Sequence, residues 1–137
     1  MKKRALAVAL ALTLAIGMAP ATAVVQAAPA QAATHVTTPA QAKKIAKKLV
    51  AQRGWSTHQY SCLVNLWKKE SGWRVTAGHA SGAYGIPQAY PGTKMKSAGK
   101  DWRKGATTQI TWGLKYIKKR YKTPCGAWSH WKRTHWY

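Results

Sequence analysis

Acidic residues are almost missing from this chain. Its 137 residues include two, Glu70 and Asp101, against 23 Lys and Arg, a formal net charge of +21. A carboxylate-rich calcium or magnesium site is therefore excluded. Only one pair of carboxylates could share a reaction, and other acid/base work would fall to His. Cysteine is nearly as scarce, at two residues, and Phe is absent. With no CxxC, no HxxxH and no carboxylate cluster, neither a metal site nor a cofactor is expected.

Long apolar runs are also lacking, with one exception. Ala5 to Gly17 follows the charged start Lys2-Lys3-Arg4 and is too short to span a bilayer comfortably. Small-residue cleavage patterns follow at Ala21-Thr22-Ala23 and Ala30-Gln31-Ala32. Residues 1–33 read as a secretory signal and leader, and residues 34–137 as one small domain. In an exported protein a lone cysteine pair reads as a disulfide, here Cys62–Cys125. It would close a loop of roughly 60 residues, worth about 4 kcal/mol.

With Lys2, Lys3 and Arg4 set aside, 20 basic and two acidic residues remain, a balance of +18. Such a chain adheres to polyanions. An exported protein meets anionic wall polymers and lipids first, and the cations are dispersed, so a nucleic-acid partner is not expected. A monomer is expected.

Helix signals are clear in two places. Thr38-Pro39-Ala40-Gln41 is a capping box with Pro in the first turn. Ala42, Ile45, Ala46, Leu49 and Val50 then form one stripe up to Gly54. Ser56-Thr57-His58-Gln59 repeats the box and opens a helix that Ser71-Gly72 stops. In this second helix Leu63, Leu66, Trp67 and Glu70 share a face. A carboxyl on the buried edge of a helix is desolvated, which raises its pKa and suits a general acid. A surface Glu paired with the abundant Lys is the plainer alternative.

Residues 72–106 are rich in Gly, Pro and Ser and read as irregular, with a short hairpin near Ala83–Gln88 and a turn near Lys94–Ala98. A third helix opens at Thr107 or Thr108, with Ile110, Gly113, Leu114, Ile117 and Tyr121 inward. After Pro124 the tail reads as one or two helical turns. Eight Trp and six Tyr supply all the aromatic rings. Each combines an apolar face with a polar tip, a vocabulary suited to sugars. Trp67 and Trp112 are expected in the core, and Trp73, Tyr84, Tyr90 and Trp102 in a cleft.

Glu70-Ser71-Gly72-Trp73 followed by Ser81-Gly82-Ala83-Tyr84-Gly85-Ile86-Pro87-Gln88-Ala89 resembles the catalytic core of soluble lytic transglycosylase domains. Thr108 to Ile117 and Cys125-Gly126-Ala127-Trp128-Ser129-His130 are similar to the exported actinobacterial branch of that family. The resemblance spans about residues 55–137. It implies a lysozyme-like, mainly α fold with an irregular loop or short hairpin region and one disulfide. It implies a secreted, wall-associated protein of a Gram-positive cell that cleaves MurNAc–GlcNAc bonds in peptidoglycan glycan strands without water. By that likeness Glu70 is the general acid and base. Ser71, Tyr84, Gly85, Ile86, Pro87, Gln88 and Tyr116 are then expected to bind or support substrate. Two other activities remain open: a water-using muramidase with Asp101 as second carboxylate, and a non-catalytic cationic binder of wall or membrane.

Overall fold

The computed structural model describes residues 35–137. The segment read as signal and leader lies outside them. The described chain is mainly helical: α1 Pro39–Gln52, α2 Thr57–Ser71, α3 Ala106–Tyr121 and α4 Pro124–Thr134, with a 3-10 helix at Gly92–Ser97. None of the described helices is long and apolar enough to cross a membrane.

Local chemistry sets the first two helices. The Thr38 hydroxyl accepts from Gln41 N–H while the Gln41 side chain accepts from Thr38 N–H, so both halves of the capping box form. At α2 only half of the second box forms. The Ser56 hydroxyl accepts from Gln59 N–H, but Gln59 Oε1 accepts from Cys125 N–H at 2.9 Å instead. A long-range donor has displaced the local one, and the N-terminal end of α2 is tied to α4.

The core lies between the helices. Ala42, Ala46 and Val50 of α1 meet Leu63, Leu66 and Trp67 of α2 and Ile110, Leu114 and Ile117 of α3, with Ala127 from α4. Small residues on α1 and Gly113 on α3 permit close approach. A Cβ at Gly113 would stand 2.6 Å from the Trp67 ring and 2.9 Å from Pro87 Cβ. A smaller cluster of Ala89, Met95 and Trp102 supports the irregular segment.

The Cys62–Cys125 disulfide is present, with Cα atoms 5.0 Å apart and a sequence separation of 63. It joins α2 to α4. Replacing both cysteines by Ser should lower unfolding stability by about 4 kcal/mol, read as an earlier midpoint in denaturant titration. A midpoint unchanged from the oxidised wild type would contradict that.

Three boundaries differ from the expectation. α3 starts at Ala106, not at Thr107 or Thr108, with Gly105 as its cap residue and no side-chain cap. Thr108 is instead a tether inside the first turn: its hydroxyl donates to Asp101 Oδ1 at 2.5 Å. The tail is a full helix of 11 residues rather than one or two turns, with Thr123 as its cap and Pro124 as its first residue. The hairpin is reduced to two isolated bridges, Gly78 with Tyr84 and Tyr84 with Ala89.

Candidate active site

Glu70 occupies the last turn of α2 and is half-buried. Its Oε1 accepts a hydrogen bond from Trp131 Nε1 of α4 at 2.6 Å. Burial pushes the carboxyl pKa above the ordinary Glu value, and the Trp131 N–H pulls it partly back. Trp131 is itself held, stacked on Trp128 at 5.4 Å and edge-on to His135 at 5.0 Å. Replacing Trp131 with Phe keeps the ring and removes the donor, so the Glu70 pKa should move further upward. Glu70 is the sole Glu in the chain. Selective carbon-13 labelling of Glu therefore yields one carboxyl resonance, and its titration reads the shift directly. An unmoved or lowered titration would contradict the assignment of that bond.

Beside the carboxylate lies Tyr137. Its hydroxyl accepts from Trp67 Nε1 at 2.7 Å and donates to Pro87 O at 2.8 Å. The phenol end is buried while the rest of the residue stays in contact with solvent. Burial first, and the nearby Glu70 charge second, hold it un-ionised well above the usual Tyr range. Tyr137 also forms part of the wall of a cleft of about 290 Å³.

That cleft runs along α3 and the 85–90 loop. Pro87, Gln88, Ala89 and Tyr90 line one side, Trp112, Tyr116 and Arg120 of α3 another, with Lys94, Trp136 and Tyr137 completing it. Trp112 and Tyr116 stack with ring centroids 5.3 Å apart and planes 11° from parallel. The pair is half-buried and offers a flat apolar surface. Burial raises the Tyr116 pKa, so it is a neutral hydrogen-bonding group at physiological pH.

The loop is fixed from beneath by two polar side chains. Gln109 of α3 is fully buried; its Oε1 accepts from Ile86 N–H, and its Nε2 donates to Val75 O and Trp102 O. Gly85 adopts φ +77° directly against that amide, where a Cβ would stand 2.6 Å from Gln109 Oε1. Ser71 is likewise buried, its hydroxyl donating to Ile86 O at 2.8 Å and accepting from Trp73 N–H at 3.1 Å. Gln88 turns back through Nε2 to Ala77 O and Gly85 O.

The residues singled out in the sequence thus fall into groups. Pro87, Gln88 and Tyr116 are in the cleft wall. Glu70 is not part of that wall, though its charge acts on Tyr137, which is. Ser71, Gly85 and Ile86 are buried and shape the loop. Tyr84 packs edge-on against Trp102 and donates to Arg103 O. Three of the tryptophan expectations are reversed. Trp73 and Trp102 are buried, whereas Trp112, expected in the core, faces the cleft. Trp73 is covered because its positive φ of 64° turns the chain back over α2, where its Nε1 donates to Val64 O. Tyr90 is exposed and does line the cleft.

Sequence reasoning missed Lys94, Arg120, Trp131, Trp136 and Tyr137. The dense aromatic ending, Trp128 to Tyr137, was the available signal. Asp101 is exposed and absent from the cleft wall; its carboxylate takes the Thr108 hydroxyl at the start of α3. His58 stands near both cysteine sulfurs, but these are bonded to each other and are not available to a metal. No family model, no curated protein and no solved structure matches the chain.

Proposed function

We propose that this protein is a secreted, lysozyme-like lytic transglycosylase that cleaves the MurNAc–GlcNAc bond of peptidoglycan, with Glu70 as its acid and base. The observation that carries this reading is the lone, half-buried Glu70 at the end of α2, with its pKa raised by burial and its charge acting on Tyr137 of the aromatic cleft wall. A general acid works best with a pKa near the working pH, and burial moves Glu70 in that direction. In the proposed step Glu70 gives its proton to the glycosidic oxygen as the C1–O bond breaks. The C6 hydroxyl of MurNAc then attacks C1 and returns a proton to the Glu70 carboxylate. The products together equal the substrate in composition, with a 1,6-anhydro ring on one and a free C4 hydroxyl on the other.

One carboxylate suffices for this route, since the nucleophile belongs to the substrate. The engagement of Asp101 with Thr108, away from the cleft wall, favours it over a two-carboxylate muramidase. The stacked Trp112–Tyr116 surface suits the apolar face of a sugar ring. The positive charge suits an enzyme held on an anionic wall. Digestion of isolated peptidoglycan with mass spectrometry of the released fragments tests the reading. Fragments ending in 1,6-anhydroMurNAc are expected, and reducing ends alone would overturn it.

A further inference from the structure

Cations are everywhere on this surface, so most of them single out nothing. Arg120 differs from the rest. Its guanidinium lies over two rings, 5.6 Å from the Trp136 centroid and 5.8 Å from Tyr121. Its Nε donates to Tyr121 Oη at 3.3 Å. That is its one hydrogen bond among the described residues. Both Nη groups remain available, on an exposed side chain that lies against the two rings. Arg53 and Arg74, by contrast, spend guanidinium donors on backbone carbonyls, and Arg103 stacks on Trp102 outside the cleft.

The position of the fork matters as much as its freedom. Arg120 lines the same cleft as the Trp112–Tyr116 stack, one helical turn beyond Tyr116. Lys94, from the 3-10 helix, lines it as well. No acidic side chain is part of the wall. A sugar ring on Tyr116 would thus carry its substituents toward a guanidinium and an ammonium. A planar guanidinium matches a carboxylate with two parallel N–H bonds.

We propose that Arg120, assisted by Lys94, forms a carboxylate-binding subsite, so that the cleft selects glycan strands whose substituents carry free carboxylates over strands in which those groups are amidated. This rests on the reading of the cleft as a glycan site and names the substrate class within it. The subsite does no chemistry; it fixes which form of the strand the cleft holds.

The test uses the Glu70→Gln protein, so that binding is measured without turnover. Peptidoglycan fragments with free stem-peptide carboxylates are compared with the same fragments amidated, at physiological salt. The free form should bind about tenfold more tightly. Arg120→Ala should bring that ratio close to one, and Arg120→Lys should restore it only in part, because an ammonium lacks the fork. Lys94→Ala should reduce the ratio by less than Arg120→Ala. Lys132→Ala removes a ring-stacked cation of α4 that is outside the cleft, so it should leave the ratio unchanged. Equal binding of both forms would overturn the subsite. So would a preference that survives Arg120→Ala, or one that Lys132→Ala weakens equally, which would be general charge attraction. If neither fragment binds, the peptidoglycan reading fails, and the subsite is judged with a uronic-acid oligosaccharide and its carboxyl-reduced neutral form. A preference for the acid that depends on Arg120 would sustain it there; no preference would end it.

Discussion

Glu70→Gln should reduce fragment release from peptidoglycan by about 100- to 10,000-fold, the range a positioned general acid/base supplies. The substitution preserves the shape of the side chain and an oxygen able to accept the Trp131 N–H. What it removes is the titratable carboxyl group. The same variant should be at least as stable as the wild type at neutral pH. Burial raises the Glu70 pKa, so its ionised form is disfavoured by the fold, and that cost is present above the raised pKa. Glutamine has no such cost. The melting-temperature gap, on the order of a few °C, should therefore be widest at neutral pH and close as pH falls through the Glu titration range. A cationic binder without catalysis predicts another pattern: no effect of Glu70→Gln, and loss of action in high salt, where exposed charges are screened. A variant that retains full lytic activity would remove Glu70 from the mechanism.

The second large effect is expected at Gln109, on stability. Its amide satisfies Ile86 N–H, Val75 O and Trp102 O within a site closed to solvent. Gln109→Ala leaves three buried backbone groups without their partner, and each orphan costs about 1–3 kcal/mol. A loss of about 4–5 kcal/mol is expected, most of what a domain this size possesses. Gln109→Glu separates shape from hydrogen bonding. Its carboxylate can no longer donate to the two carbonyls, so it should also be strongly destabilised at neutral pH. Denaturant titration checks both. A loss under 1 kcal/mol in each would mean that the loop holds its shape without this clamp.

The parts of the molecule that were legible in the sequence are those fixed by near neighbours. Thr38 and Gln41 are three residues apart, as are Ser56 and Gln59, and their pattern placed the starts of α1 and α2. The apolar face of α2 and the position of Glu70 on it followed from helical periodicity. The cysteine pair was legible because only one pairing exists. The site itself was less so, because its bonds join distant residues. Trp131 reaches Glu70 across 61 positions, Trp67 reaches Tyr137 across 70, and Gln109 reaches Val75 across 34. Nothing in the sequence near Trp73 or Trp102 announces that other residues cover them. Nor does the helical stripe of α3 show that Trp112 falls at its open edge. The half-formed cap at Gln59 illustrates the same competition, since a local motif yielded to Cys125 once the disulfide brought that donor near.

Digestion of peptidoglycan in water enriched in oxygen-18 tests the central claim most directly. A transglycosylase closes the anhydro ring with the substrate's own C6 oxygen. The new MurNAc ends should then carry no label and show the mass of the anhydro form. One oxygen-18 atom at each new reducing end would mean that water is the nucleophile, and would contradict the account.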